Sequence, residues 1–106
     1  MINDALFAQV KRKLDITWDD DDTTARVNEI IENAIPSLIN RLGITSDDFD
    51  FSVAGEENTL FLNYCFYEWN HAIADFEINY ALIVERVRAK HTVKSYILSG
   101  EVSGNE

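Results

Sequence analysis

The sequence predicts an all-α protein, a small bundle of about four helices with a flexible C-terminal arm. Between Asp22 and Leu42, apolar residues recur in alternating steps of three and one, the spacing of one helix face. They are Val27, Ile30, Ile31, Ala34, Ile35, Leu38, Ile39 and Leu42. Between Thr59 and Val87 there is neither Gly nor Pro, so nothing interrupts helix formation in the most aromatic part of the chain.

A length of 106 residues corresponds to one domain, and 46 % apolar with 26 % charged residues is typical of a chain that folds. We expect residues 1–93 to form this domain and residues 94–106 to form the arm. No apolar run approaches the roughly 18 residues that a membrane span needs. The N-terminus lacks the pattern of a secretory signal. The single Cys65 has no disulfide partner within the chain, which favours a cytoplasmic setting or a particle assembled in a cytoplasm.

The net charge of −10 comes from 19 acidic and nine basic residues. Affinity for nucleic acid depends on clustered Lys and Arg, so this balance argues against nucleic-acid binding over the general surface. The same charge favours solubility, and it is compatible with a surface that DNA passes without sticking.

The first two helices are predicted from caps and periodicity. Asn3 or Asp4 caps a helix from Asp4 to Leu14. Residues 15–22 form an acidic loop, and its Trp18 is expected to fold onto the domain. One of Asp21, Asp22 and Thr23 caps the long second helix. We expect Pro36 to kink this helix and Gly43 to end it.

The second half of the chain is less regular at its start. Phe49, Phe51 and Val53 alternate with polar residues and could form a short strand-like segment. A third helix should then begin between Glu56 and Thr59 and reach about Ala74. A fourth should run from Phe76 to about His91, although one long bent helix fits the pattern as well.

The only concentrated basic group lies near the end of that last helix, and it consists of Arg86, Arg88, Lys90, His91 and Lys94. Two interpretations are open. The charges are paired with nearby acids at a helix end, or they contact an acidic partner surface.

No pattern of a chemical site is present in the sequence. The adjacent aspartates Asp19–Asp22 lack the alternating spacing, the central Gly and the final Glu of a calcium loop. There is no nucleophile motif and no phosphate-binding loop, and Cys65 lies in an aromatic run where a buried thiol is expected. His71 and His91 are too far apart to form a helical metal pair. We therefore expect no catalytic residue, no metal and no cofactor, and a protein that is not an enzyme.

The stretch from Thr59 to Val87 carries more apolar surface than one chain of this size can cover, because apolar residues lie nearly all round its helical wheel. We expect another copy or another protein to cover part of it. The candidate subunit-interface residues are Leu62, Phe66, Trp69 and Phe76.

In their order, these segments resemble the head–tail connector (head-completion adaptor) family of tailed bacteriophages. That family has a short helix, an Asp-rich loop, a long helix ending near an Arg-Leu-Gly stop, an aromatic helix, and a final helix with a flexible arm. The matching segments here are VKRKLDITWDDDDTTARVNEIIENAIPSLINRLGI and LNYCFYEWNHAIADFEINYALIVERVRAKHTV. The likeness spans roughly Asp4 to Val93.

The resemblance implies a structural protein of the virion neck, assembled in the host cytoplasm and without a membrane role. Copies would form a ring, usually a dodecamer, under the portal protein. The ring would extend the DNA channel, pass DNA without binding it specifically, and dock the next neck or tail-completion protein. The arm would contact the portal through Tyr96, Ile97, Leu98 and Val102.

A second hypothesis follows from charge alone: an acidic regulatory binding protein, or a DNA mimic, that inhibits a nucleic-acid-binding partner. A mimic should present carboxylates at phosphate-like spacing on one face. In this sequence the acids are instead spread along the chain, with six by Asp22, five more by Asp50 and eight afterwards.

Overall fold

The computed structural model describes the backbone of residues 3–98 and the side chains of residues 3–94. It confirms the all-α class: every regular element in these residues is a helix. The helices are α1 (Asp4–Lys13), α2 (Asp21–Leu42), α3 (Glu56–Trp69), α4 (Ile73–Asn79) and α5 (Ala81–Leu98). Helices α4 and α5 are separated only by Tyr80, so the bundle is close to the four helices expected.

Helix α3 is the centre of the bundle, since it packs against each of the other four helices. Its residues Leu60, Phe61 and Cys65 are buried against Val27, Ile31 and Leu38 of α2 and Leu6 and Val10 of α1 in one continuous core. Val87 of α5 and Phe76 of α4 close the core on the other flank. No polar or charged residue is buried within residues 3–94.

Helices α1, α2 and α3 end in the same way. Asp15, Gly43 and His71 each adopt a left-handed backbone conformation, with φ of 59°, 65° and 57°. The next residue in each case donates its backbone N–H to a carbonyl five residues earlier: Ile16 to Lys11, Ile44 to Ile39 and Ala72 to Tyr67. This is the Schellman motif, which satisfies the last carbonyls of a helix and turns the chain.

These endings correct two of the expected helix bounds. The third helix ends at Trp69 instead of Ala74, because the chain turns at His71. Residues Ile73–Asn79 then form α4, which was expected to begin only at Phe76. At the start of α2, the cap is Asp20, whose side chain accepts from the Thr23 backbone N–H at 2.7 Å. Pro36 lies within α2, which is one continuous helix from Asp21 to Leu42.

The loop before α3 is an anchored turn and not a strand. Phe51 is fully buried, and its ring stacks on that of Phe61 with centroids 4.8 Å apart. The side-chain amide of Asn58 donates to the Phe51 carbonyl at 2.7 Å, and that of Gln9 donates to the Ser52 carbonyl at 3.0 Å. The alternating aromatic pattern therefore marks one core residue held by two helices.

The last helix is longer than expected. Helical backbone continues through residues 94–98, which were expected to begin the arm. Within α5, Val87 is buried and His91 is half-buried, whereas Thr92, Val93 and Lys94 are exposed. The helix therefore leaves the body of the domain after His91.

We predict that Phe51→Ala lowers the free energy of unfolding by about 3–5 kcal/mol, the usual cost of removing a fully buried aromatic ring. Chemical denaturation measures the change. The matched control is Val53→Ala two residues away, where the side chain is 64 % exposed and little change is expected. Equal effects of the two substitutions would contradict the anchoring role of Phe51.

Candidate assembly surface

Three of the four predicted interface residues share one face of α3. Leu62, Phe66 and Trp69 follow one another at intervals of four and three residues, which places them on one side of the helix. Phe66 is 40 % exposed, and Leu62 and Trp69 are half-buried. The structure therefore brings these three together, and Phe66 is the most accessible of them.

Basic residues of α1 flank the apolar part of this face. Lys13 lies over the Phe66 ring, with Nζ 5.6 Å from the ring centroid. Arg12 and Lys13 also line a surface groove of about 420 Å³ together with Leu62. Both basic residues are exposed, and neither has an ion-pair partner among the described side chains. We call the group Arg12, Lys13, Leu62 and Phe66 the α1–α3 surface.

Trp69 is partly covered by the chain itself. The Arg26 guanidinium of α2 lies over its ring, 4.2 Å from the centroid, and Nη2 donates to the Trp69 carbonyl at 2.8 Å. Arg26 thus caps the C-terminal end of α3, where a positive charge suits the helix dipole. Sequence reasoning missed this role because Arg26 and Trp69 are 43 residues apart.

The fourth predicted interface residue belongs to the core. Phe76 is only 1 % exposed, and its ring stacks on Tyr80 with centroids 4.8 Å apart. Tyr64 and Tyr67 meet it edge-on at 5.2 and 5.9 Å. Phe76 was expected to face a neighbouring subunit, but its side chain lies in the core of its own chain. The reason is that the turn after α3 folds α4 back over the aromatic face of α3.

The most exposed large apolar side chains lie elsewhere, on α4 and the start of α5. Ile78 is 75 % exposed and Leu82 is 81 % exposed. Asp75 precedes Ile78 by three residues on α4 and Glu85 follows Leu82 by three on α5, so each acid shares a helix face with its apolar neighbour. Both acids are exposed and have no ion-pair partner in the described part of the chain. We call the group Asp75, Ile78, Leu82 and Glu85 the α4–α5 surface. The apolar residues that lie nearly all round the helical wheel of Thr59–Val87 were the sequence signal that could have found this surface.

The basic group on α5 is engaged mainly within the chain. Lys90 and His91 reach Glu57 at the start of α3, with Nζ and Nε2 at 3.0 and 2.8 Å from Oε2, and Arg86 pairs with Glu56. Arg88 donates to the carbonyls of Asn40 and Arg41 at 2.9 and 3.0 Å, which caps the end of α2. Of the two interpretations, pairing with acids holds for Arg86, Lys90 and His91, although their partners are distant in sequence.

Glu57 is the centre of this ion-pair group. Burial opposes its ionisation, but hydrogen bonds with Lys90, its own backbone amide and His91 outweigh that effect and hold the pKa of this carboxyl below its usual value. The group fastens the middle of α5 to the N-terminal end of α3. It therefore fixes the direction in which α5 leaves the body.

The acidic loop is a capping turn. Asp20 caps α2, and Lys11 pairs with Asp19 at 2.8 Å, which holds the pKa of the Asp19 carboxyl below its usual value. Trp18 was expected to fold onto the domain, but it is 49 % exposed and only its Nε1–H is held, by Thr23 Oγ1 at 3.0 Å. Among the described residues, no group of three or more His, Cys, Asp or Glu side chains could hold a metal ion.

Cys65 is fully buried in the core, and burial raises the pKa of its thiol. In the predicted arm, Tyr96, Ile97 and Leu98 lie on helical backbone at the end of α5, while Val102 lies outside the described residues. In the described part of the chain, no helix has both the length and the apolar character that crossing a membrane requires.

Compared with protein-family models, with curated proteins and with solved structures, the chain matches none of them.

We predict that Glu57→Gln reduces the stability of the fold at neutral pH. The substitution should also make this stability less dependent on pH. Because the pKa of Glu57 is lowered in the folded state, its stabilising contribution is present above the usual value of 4.5 and is lost as pH falls through the lowered pKa. Thermal unfolding between neutral and acidic pH measures this. Glu32→Gln is the control, because this carboxylate of α2 is exposed and has no ion-pair partner among the described side chains. An identical profile for the two variants would contradict the role of Glu57.

Proposed function

We propose that this protein is a structural head–tail connector of a tailed bacteriophage. In this proposal its copies form a ring under the portal protein, expected to be a dodecamer, which extends the DNA channel and docks the next neck or tail-completion component. The observation that carries the proposal is the exposure of Ile78 and Leu82 on one flank of α3 and of Phe66 on the other. Large apolar side chains exposed in clusters are typical of surfaces that another protein covers.

The order of the helices supports the same reading. A short basic-ended helix, an acidic loop, a long helix, an aromatic helix and a final helix follow the order that the connector family has, with the short helix α4 between the last two. The acidic excess suits a channel wall that repels DNA phosphates, because like charges reduce sticking.

The end of α5 is the part of the chain that we assign to the portal. Thr92, Val93 and Lys94 are exposed beyond the ion pairs that fasten the helix to α3. The helical backbone that follows carries Tyr96, Ile97 and Leu98 away from this attachment, and Val102 comes later in the sequence. Apolar residues on a projecting segment are suited to insertion between the helices of a partner.

A specific observation keeps the second hypothesis as a candidate. Asp19–Asp22 are all exposed at one end of α2, next to the half-exposed Trp18. An acidic inhibitor could present this group to a basic DNA-binding protein. A tight complex with such a protein, weakened by salt and lost in the Asp21→Asn/Asp22→Asn variant, would favour that function over the connector.

Native mass spectrometry of the chain mixed with its cognate portal protein tests the connector. We expect a complex that contains one ring of connector copies on each portal. A chain that stays monomeric in the presence of the portal and does not bind it would contradict the proposal.

We predict that truncation after Lys94 leaves the fold intact and weakens binding to the portal. The residues from Thr92 to Lys94 are exposed, so removing the helix beyond them takes little from the core. Circular dichroism checks the fold, and the yield of the portal complex measures docking. Unchanged docking would reject the assignment of the arm, while the full-length chain serves as the reference.

A further inference from the structure

We propose that copies of this chain associate head to tail, with the α4–α5 surface of one copy seated on the α1–α3 surface of the next. The proposal names the partner of the candidate assembly surface. It rests on the proposed function in one respect only, which is that copies of the chain bind one another.

The two surfaces are opposite in charge, and each carries two apolar side chains. Each consists of a pair of apolar side chains, Leu62 with Phe66 and Ile78 with Leu82. Two exposed charges without ion-pair partners in the described part of the chain flank each pair. The flanking charges are basic on the first surface (Arg12 and Lys13) and acidic on the second (Asp75 and Glu85).

The two basic charges, Arg12 and Lys13, differ from most other basic residues of the described chain. Lys11, Arg41, Arg86 and Lys90 are all engaged with acids of the same chain. Arg26 and Arg88 cap the ends of α3 and α2. Arg12 and Lys13 are therefore among the few basic side chains of the described residues that are left for an external partner. Complementary charges around an apolar contact select the partner and fix the register.

The two surfaces also lie at different places on the bundle. Helix α1 packs on α2 and α3, and within the described residues it makes no contact with α4 or α5. The α1–α3 and α4–α5 surfaces consequently lie on different flanks of α3. A contact between two different patches is heterologous, so each copy retains one open patch after pairing. Repetition of the contact produces a closed ring or an open chain of copies.

A second copy is the occupant that these observations favour over an unrelated partner. A single chain carries both surfaces of the contact. The basic residues of one surface can pair with the acidic residues of the other. The acidic loop at Asp19–Asp22 is a weaker candidate for the α1–α3 surface, because Asp19 is already paired with Lys11 and Asp20 caps α2.

Thiol crosslinking between two single-substitution variants tests the pairing. Lys13→Cys places a thiol on one surface and Glu85→Cys places one on the other. Cys65 is fully buried, and its raised pKa keeps the thiol protonated, so only the introduced cysteines react. The variants are mixed, treated with a short bismaleimide and digested for mass spectrometry.

We expect the 13–85 crosslink to predominate over the 13–13 and 85–85 crosslinks. Val53→Cys, on an exposed loop outside both surfaces, replaces Glu85→Cys in the matched control. A 13–85 yield no higher than the 13–53 yield would overturn the proposal, even for weak association, because the comparison does not require a stable oligomer.

Charge reversal tests the electrostatic part. Adding Arg12→Glu to the Lys13→Cys chain should abolish the 13–85 crosslink, whereas Lys94→Glu, the same kind of change at an exposed site outside both surfaces, should leave it in place. An undiminished crosslink after Arg12→Glu would overturn the pairing.

These experiments use the protein without a portal. Their result therefore does not depend on portal binding. If the chain forms a ring on the portal but neighbouring copies do not give the 13–85 crosslink, only the head-to-tail pairing is overturned. If the chain does not bind the portal, only the connector proposal is overturned.

Discussion

The burial of α3 is the constraint on which the rest of the structure depends. This helix carries apolar residues around most of its circumference, and all four other helices pack against it. A helix of this kind needs cover on every side. The chain supplies α2 along one side, α1 on one flank and α4 with α5 on the other, but it leaves Phe66 accessible. The exposure of Phe66 is thus the consequence of a central helix too apolar for so short a chain.

Long-range side chains fix where the helices end. Arg26 caps α3, Arg88 caps α2, and the group around Glu57 fastens α5 to the first turn of α3. Each of these contacts places a positive charge at the negative end of a helix dipole, or an acid near the positive end. Together with the left-handed residues Asp15, Gly43 and His71, they set the angles at which the chain reverses. These reversals decide which apolar residues enter the core and which stay outside.

The two exposed surfaces give the acidic composition a more specific meaning. The net charge of −10 acts over the whole molecule, whereas recognition depends on a few local charges. On the α1–α3 surface, the basic residues Arg12 and Lys13 accompany Phe66. On the α4–α5 surface, the acidic residues Asp75 and Glu85 accompany Ile78 and Leu82. Contact between different patches leads to rings or chains. The proposed connector and the proposed head-to-tail pairing are therefore mutually consistent, although each can fail without the other.

The sequence by itself determined the all-α class, the bounds of α2 to within a residue and the apolar excess of the segment from Thr59 to Val87. These features follow from local periodicity, from Gly43 as a helix stop and from composition, all of which operate within a few turns of chain. Only the tertiary structure decided that Phe76 is core and that Arg26 lies over Trp69. It also decided that Ile78 and Leu82 face outward. The chain reverses at His71, where no Gly or Pro indicates a turn in the sequence. The residues that cover these side chains lie tens of positions away along the chain.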